Sequence, residues 1–330
     1  MPFKFFFKLI ILFSISAILI NIGVLEWFVR YKLMPMDNWQ VINARLTPTR
    51  LSKIKKIAVG DSHPSYNLDI RTEDFFNMSY PSENTHKVYI KLRNYIKMGM
   101  RPEFILLQAD YHLFSIYRAR MTDYYRYTDF FEEQDSEEMN SLNLQVTLRQ
   151  ENSIANYLIQ FQNTYSANIH NTFWKYITDG FHLENRFELT ANGTILTDEG
   201  WKYLSPLQAS QSTQKRIKKQ LPEENRKIYD YLMHFYEKTI RLGLKHHCQV
   251  ILIKYPLSSE YLNRLDTQLK LDIDRLYVQI ANKYDLEIWD YSDKIKNRDF
   301  FSNPDHLSRK GAKYFGDIIN AKLNEDKKND

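Results

Sequence analysis

The sequence has little cysteine, little glycine and no long block of basic residues. Its 330 residues include one cysteine, Cys248, which excludes an internal disulfide and a zinc site built from several cysteines. The nine glycines contain no G-x-G-x-x-G run, which argues against a dinucleotide-binding loop. The net charge of +5 comes without a long Lys/Arg block, so the sequence does not indicate a nucleic-acid partner.

Hydrophobic residues, in contrast, are plentiful. They make up 43% of the chain, which is long enough for one large domain with a buried core. Aromatic residues reach 15%, including 23 tyrosines and 20 phenylalanines. This content fits either a tyrosine-rich core or a sugar-binding surface.

The first 32 residues predict a single transmembrane signal anchor. No charged residue occurs from Leu9 to Leu25, and aromatic residues flank this stretch on both sides. As a helix the stretch would rise about 26 Å, and its flanks extend it to a plausible span. The stretch from Ile20 to Glu26 offers no small-residue cleavage site, which favours an anchor over a cleaved signal peptide. We expect the domain that follows to be held at the bilayer on the extracytoplasmic side.

The remaining chain predicts a linker at 33–53, an α/β domain at 54–325 and a disordered tail at 326–330. Its strand signals and helical patterns alternate, which predicts a three-layer, doubly wound, parallel five-stranded sheet of the flavodoxin type. The strands are expected at 54–59, 74–79, 102–110, 248–256 and 286–292. The helices are expected at 85–100, 222–247, 262–285 and 308–324.

A long stretch at about 114–221 interrupts this alternation. It is rich in Tyr, Asn, Gln and charged residues, and we expect a mostly helical insertion that caps the carboxyl edge of the sheet. Asn192-Gly193 predicts a hairpin turn inside it. The segment 117–131 interleaves arginines, including Arg118, with tyrosines, which fits an aromatic-packed helix or a surface for an acidic glycan.

Three polar clusters follow predicted strands. They are Gly60-Asp61-Ser62-His63, Asp110-Tyr111-His112 and Asn303-Pro304-Asp305-His306. Because ligands bind beyond the carboxyl ends of strands in such sheets, we expect the clusters to share one edge. A serine needs a nearby base to become nucleophilic, and histidine is the usual one. Ser62 could instead cap a helix, and His306 could be an ordinary surface histidine.

The pairing of G-D-S-H after the first strand with D-H-L-S-x-x-G-A near the C-terminus resembles the SGNH, or GDSL, hydrolase superfamily. The resemblance covers roughly 54–112 and 246–325. It implies that Ser62 is the nucleophile and His306 the base, with Gly311 and Ala312 opening the last helix. The membrane anchor makes the chain most similar to tethered proteins that acylate envelope polymers, such as alginate O-acetyltransferases and the D-alanine transfer protein of teichoic acids.

The family places an orienting aspartate three residues before its histidine, and here that residue is Asn303. Three arrangements stay open: Asp305 orients His306, Asn303 orients it weakly, or Ser62 and His306 act as a dyad. An Asp→Asn change in a serine-protease triad lowers turnover about 10⁴-fold, so the choice bears on activity.

Further residues are candidates for the oxyanion hole or the pocket. Gly60, His63, Asn77 and Ser79 belong to this group, and Asn303 lines the same loop as His306. Asp61 is expected to bond loop backbone. Asp110 and His112 either shape the pocket or form a solvated strand end.

Asp61-x-His63 is also similar to the opening motif of metallophosphoesterases. That chemistry requires several more ligands, including an Asn-His or Asn-Asp pair and a later His-x-His. The sequence has no Gly-Asn-His, so we expect neither a metal nor another cofactor.

Two functions are compatible with these features. The first is a membrane-anchored serine O-acyltransferase or acyl esterase that transfers acetyl groups on a cell-envelope or exported polysaccharide. A membrane-bound protein that carries acyl groups across the bilayer is implied as a partner by the resemblance alone. The second is a catalytically inactive member of the same fold that binds or assembles an envelope glycan.

Overall fold

The computed structural model describes residues 38–144 except 123 and 143, then 187–197, 201–223 and 227–329, with scattered positions at 8–24 and 174–178. Most of the predicted membrane anchor at 1–32 lies outside the described residues. Within the described part of the chain, no helix combines the length and apolar character needed to cross a bilayer. The chain divides into two compact units, 1–43 with 149–185 and 44–148 with 186–330. The second unit carries the sheet and the candidate site, and the helix Asn38–Arg45 lies mostly in the first unit.

The centre of this unit is a parallel five-stranded sheet in the order β2-β1-β3-β6-β7. Its strands are β1 (Lys56–Val59), β2 (Phe75–Asn77), β3 (Phe104–Gln108), β6 (Gln249–Lys254) and β7 (Glu287–Asp290). Two short antiparallel pairs accompany it, β4 (Phe187–Leu189) with β5 (Ile195–Thr197), and β8 (Phe301–Asn303) with β9 (His306–Leu307). All five predicted sheet strands are confirmed, and the strand order is that of flavodoxin-like sheets.

Eleven α-helices have both ends in the described part of the chain. They are α1 (Asn38–Arg45), α2 (Pro48–Leu51), α3 (Ser62–Asn67), α4 (Thr85–Lys97), α5 (Ile116–Ala119), α6 (Glu133–Ser141), α7 (Pro206–Gln220), α8 (Asp230–Lys245), α9 (Ser259–Leu262), α10 (Thr267–Tyr284) and α11 (Arg309–Asn329). Short 3-10 helices occur at Tyr125–Phe130, Trp201–Tyr203 and Arg298–Phe300.

Alternate residues of each strand point to opposite faces of the sheet, and a helix packs on each face. On one face α11 buries Phe315 and Ile319 in a cluster with Ala58 and Ile251. On the other face Gly243 of α8 lies so close to Ile105 and Val250 that a Cβ there would meet both side chains within 3 Å. Because side chains alternate along a strand, this arrangement is the predicted three-layer α/β fold.

The insertion contains the predicted hairpin. The β4–β5 turn spans Thr190 to Thr194, and Gly193 adopts a φ of +85°. A Cβ on Gly193 would lie 2.3 Å from the backbone oxygen of Asn77, so glycine lets the turn approach β2. Asn192 also donates to the backbone oxygens of Ile70 and Thr72, both at 2.9 Å. The predicted helical character of the insertion is seen in α5, α6 and α7, while 145–173 lies outside the described residues.

Two segments predicted as irregular are helical. The predicted linker 33–53 contains α1 and α2, and Pro48 and the Thr47 cap begin α2 as helix starts prefer. The predicted tail 326–330 is helical as far as Asn329, because α11 meets no helix-breaking residue before that point.

Two predicted helices have different limits. The helix predicted at 222–247 begins only at Asp230, since the preceding Tyr229 is extended and its N–H donates to the Phe114 oxygen at 3.0 Å. The helix predicted at 262–285 begins at Thr267, because Asp266 caps its start by accepting from the Leu269 N–H at 2.8 Å, and α9 ends at Leu262.

Candidate active site

Ser62 is the first residue of α3, directly beyond the carboxyl end of β1. Asp61 caps this short helix by accepting from the His63 N–H at 2.9 Å. The turn requires Gly60, because a Cβ there would lie 2.3 Å from Gln108 Oε1, the oxygen that accepts from the Asp61 N–H. Gly60 is therefore a backbone requirement of the turn. Ser62 is 7% exposed, so it lies just beneath the surface.

His306 is the first residue of β9, directly after the β8–β9 turn, and Asn303 holds its ring. Asn303 Oδ1 accepts from the backbone N–H groups of Asp305 (3.2 Å) and His306 (3.0 Å). These two bonds fix the orientation of the amide, so that Nδ2 faces His306 Nδ1 at 3.0 Å and donates to it. Because this bond is shorter than the 3.5 Å approach of Arg216 Nη2 to Nε2, we assign the ring proton to Nε2.

The His306 ring is neutral in this environment. Burial lowers the pKa of His306 to about 3, with Asp305 opposing the shift and Arg216 adding to it. Arg216 Nη2 is 3.5 Å from His306 Nε2. The ring therefore has a donor facing each nitrogen, which disfavours protonation.

The elements that carry Ser62 and His306 are bonded to each other. Asn67, the last residue of α3, accepts from the Leu307 N–H at 2.7 Å and donates to the Asp305 backbone oxygen at 3.4 Å. The rings of Tyr66 and His63 lie 4.7 Å and 5.4 Å from the His306 ring. The two predicted clusters thus meet at one edge. Among the described residues, no hydrogen bond joins Ser62 to His306.

Asp305 does not orient His306, in contrast to one of the predicted arrangements. Its Oδ2 accepts from Gln220 at 2.7 Å, Arg216 at 2.9 Å and His63 at 3.3 Å. Burial would raise the pKa of Asp305, but the neighbouring His306, Arg216 and His63 hold it well below its usual range. The carboxylate is thus committed to linking the insertion helix α7 to His63.

His63 is a fully buried cation and does not line the pocket surface. Its Nδ1 bonds Asp110 Oδ2 at 2.7 Å, and its Nε2 faces Asp305 Oδ2. Burial alone would lower the pKa of His63, but Asp110 and then Asp305 raise it to about 10. With an acceptor for each ring nitrogen, His63 is an imidazolium fixed beneath the edge.

Asp61 forms a second buried ion network with residues from β3 and α5. Its carboxylate accepts from Gln108 and His112, at 2.8 and 2.7 Å, and pairs closely with Arg118. Burial would raise the pKa of Asp61, but Arg118 and His112 hold it well below its usual range. The end of β3 is therefore not solvated, since Asp110 and His112 are buried.

The side chains predicted for the oxyanion hole are engaged elsewhere. Asn77 Nδ2 donates to the Pro64 oxygen at 2.6 Å, and Asn77 Oδ1 accepts from the Ser79 N–H at 3.2 Å. The Ser79 hydroxyl donates to the Ala58 oxygen at 3.3 Å. Both residues therefore support the backbone of the β1 and β2 ends. The Ser62 backbone N–H makes no hydrogen bond within the described part of the chain.

A metal ion fits the site poorly. His63, Asp305 and His306 each offer a ligand atom, and these atoms lie within 4.8 Å of one another. However, both nitrogens of His63 already face carboxylates, and Arg216 reaches Asp305 and approaches His306 Nε2. A cation would have to displace the guanidinium and a proton from His63.

Arg216 and Gln220 of the site had no sequence signal. Both come from α7 in the insertion, far in sequence from the strand-end clusters, and only tertiary packing brings them to Asp305. Arg118 stood out in the sequence as part of a Tyr/Arg segment, but its pairing with Asp61 was not evident there.

Searches with protein-family models and among curated proteins give no match. Among solved structures, one similar chain is from Bacteroides fragilis NCTC 9343 and is described as a "putative acylhydrolase". It shares 8% identity and a TM-score of 0.41, with 88% of this chain and 98% of that chain covered. The similarity is too distant to carry a functional argument. The class that the geometry itself defines is a doubly wound α/β protein with a serine and a histidine at the carboxyl edge.

Proposed function

We propose that the protein is an acyl-transfer enzyme that uses Ser62 as nucleophile and His306 as base. Ser62 Oγ attacks the carbonyl carbon of an ester, its proton passes to His306 Nε2, and the ester C–O bond breaks. The departing alkoxide takes the proton from Nε2. An acceptor hydroxyl, or water, then attacks the acyl-enzyme and loses its proton to Nε2, and Ser62 Oγ leaves and regains it.

One observation carries the proposal: the Asn67 side chain bonds the His306 turn to the helix that Ser62 begins. This link fixes the serine-bearing helix and the histidine-bearing turn at one sheet edge, although they come from opposite ends of the chain. Ser62 and His306 are nearly buried but not completely enclosed, as nucleophile and base must be to meet a substrate.

The Asn303 amide limits the rate of this chemistry. Because Asn303 Nδ2 donates to Nδ1, the favoured tautomer of His306 carries its proton on Nε2, and that nitrogen cannot accept another. Only the minor tautomer is a base toward Ser62. We therefore expect slow turnover, as in serine hydrolases whose orienting aspartate is an asparagine.

The finer assignment rests on the sequence. The apolar N-terminal stretch and the resemblance to envelope acylation proteins support a membrane-anchored, extracytoplasmic enzyme that adds or removes O-acetyl groups on a polysaccharide. The same resemblance supports a membrane-bound partner that supplies acyl groups. Transfer and hydrolysis share every step up to the acyl-enzyme and differ only in which hydroxyl attacks it.

The test is hydrolysis of 4-nitrophenyl acetate by the purified full chain. Wild-type protein should release 4-nitrophenol with an initial burst, and Ser62→Ala and His306→Ala should each abolish the burst. Gln214→Ala, a change at an exposed position of α7, is the matched control and should keep it. A rate that is the same with and without Ser62 would remove the proposal.

A second candidate is a binding or assembly protein without catalysis. It is favoured by the missing Ser62–His306 hydrogen bond in the described residues and by the engagement of Asn77 and Ser79 elsewhere. Retention of a glycan by Ser62→Ala with wild-type affinity, together with an inert Ser62 in the wild type, would support this function.

A further inference from the structure

Arg216 differs from the other charged groups of the edge because it reaches solvent. Its side chain is 27% exposed, whereas that of its partner Asp305 is fully buried. His63, Asp61 and Arg118 are also buried. Arg216 is therefore the one member of this charge network placed to touch a substrate.

The guanidinium is held at one end and open at the other. Arg216 Nε donates to Asp305 Oδ2 at 2.9 Å, which fixes the direction of the group. Its Nη2 has only the 3.5 Å approach to His306 Nε2, and that nitrogen bears a proton in the favoured tautomer. Among the described residues, Nη1 has no acceptor. The outer edge of the guanidinium is thus a preorganised pair of donors, the geometry that binds carboxylate or phosphate.

The position of Arg216 also indicates which half of an ester it faces. In a Ser–His mechanism, the base nitrogen returns the proton to the departing alcohol and later takes one from the incoming alcohol. His306 Nε2 therefore marks the alcohol side of the reacting carbonyl, and Arg216 Nη2 lies beside that nitrogen. The acyl half of the ester extends away from this point.

From these contacts, and resting on the proposed acyl-transfer function, we infer that the alcohol half of the substrate carries an oxyanion next to its reacting hydroxyl, and that Arg216 binds it. An acidic sugar, with a carboxylate or a phosphate near the acylated hydroxyl, has this chemistry. Arg216 is a specificity-determining residue, and the acyl group itself needs no charge.

The inference is tested with aryl esters that differ in charge and in the position of the charge. The first pair is 4-acetoxybenzoate and its methyl ester, and 4-acetoxyphenyl phosphate is the phosphate arm. Monophenyl succinate carries its carboxylate on the acyl half instead. We expect wild-type protein to prefer the anionic alcohols in kcat/KM, mainly through KM, and to show no preference for the succinate.

Arg216→Gln should lower kcat/KM for the anionic alcohols by about 10- to 100-fold relative to the methyl ester, the range expected for a lost charge-assisted bond. Arg216→Lys should retain part of the preference. Two controls separate other causes: Lys219→Gln removes a nearby exposed charge of α7, and Gln220→Ala removes another donor to Asp305. Lys219→Gln should keep the preference, and Gln220→Ala should affect charged and neutral esters equally.

The outcomes are distinct. An equal loss for charged and neutral esters in Arg216→Gln would mean that Arg216 only positions Asp305 and would overturn the inference. A wild-type preference for the charged acyl half would also overturn it. If turnover depends on Ser62 but kcat/KM is the same for charged and neutral esters, the proposed function stands and only this inference is removed. If no ester is turned over in a Ser62-dependent way, both are removed.

Discussion

At the scale of single residues, the Asn303 amide decides the chemical state of His306. Its oxygen is taken by two backbone N–H groups of the same turn, which leaves its nitrogen for His306 Nδ1. A carboxylate at this position could accept the two backbone N–H groups and a proton-bearing Nδ1 as well. With asparagine at position 303, the His306 imidazole donates at Nε2. With aspartate there, an oxygen would replace the amide nitrogen and the imidazole would accept at Nε2.

Asn303→Asp should therefore raise the rate of Ser62 acylation. The carboxylate would favour the tautomer with the proton on Nδ1 and stabilise the imidazolium that forms during attack. The reverse change in a serine-protease triad costs about 10⁴-fold, and we expect a gain of at least about tenfold here. Stopped-flow measurement of the 4-nitrophenol burst checks this, with Asn303→Ala as a control that should be no faster than wild type. A slower burst in Asn303→Asp would contradict the assignment of the tautomer.

The sequence was sufficient to predict that Ser62 and His306 share an edge, because strand ends and their order are local signals. It was not sufficient to predict their partners. Asp305 was a candidate to orient His306 since it is adjacent in sequence, yet the tight turn directs its carboxylate toward Arg216 and Gln220. Contacts of this kind depend on how α7 of the insertion packs, which no sequence periodicity encodes.

At the scale of elements, the last helix positions the histidine turn. Gly311 in α11 lies against the 3-10 turn before β8, and a Cβ there would come within 2.0 Å of the Phe300 backbone oxygen. The Ser308 N–H also donates to that oxygen at 2.8 Å. Close packing of α11 therefore fixes both ends of the segment that contains Asn303 and His306.

Gly311→Ala should lower both stability and acylation rate. The added methyl must push α11 away from Phe300, and overpacking of this kind typically costs about 1–3 kcal/mol. Thermal unfolding and the 4-nitrophenol burst measure the two effects. Lys313→Ala, an exposed change two residues along the same helix, is the control and should alter neither. Unchanged values for Gly311→Ala would show that the turn tolerates movement of α11.

The strands of the sheet could be predicted from the sequence, but the first residues of some helices could not. All five sheet strands were predicted because short apolar runs bounded by polar clusters are a strong strand signal. The start of α8 was predicted at Pro222, where proline and acids favour a helix, but Tyr229, which bonds Phe114, is extended directly before the helix begins at Asp230. Tertiary contact overrides the local preference there.

At the scale of the whole molecule, the carboxyl edge is a buried network of balanced charge. Asp61, Asp110 and Asp305 pair with Arg118, His63 and Arg216. Breaking a buried pair leaves an uncompensated charge, so each member is needed while the others remain. Since these residues come from the sheet ends, α5 and α7, the network ties the insertion to the sheet.

The free energy of unfolding should therefore depend on the charge of His63. Its folded pKa of about 10 lies above its ordinary value of 6.5, so its contribution is fully present below about pH 6.5 and is lost as the pH rises through 10. Urea unfolding between pH 6 and pH 10 measures this decline. His63→Gln should be less stable at pH 6 and should have a shallower alkaline decline. Equal slopes in wild type and His63→Gln would contradict a charged His63.

The most direct test of the central claim is the mass of the protein after reaction with a fluorophosphonate ester. Ser62 is expected to gain one phosphonate, found by peptide mapping on the segment that contains Ser62, and Ser62→Ala should gain none. His306→Ala, with the nucleophile present but its base removed, should react far more slowly. A folded wild-type protein that gains no phosphonate, or gains it equally with and without Ser62, would contradict the account.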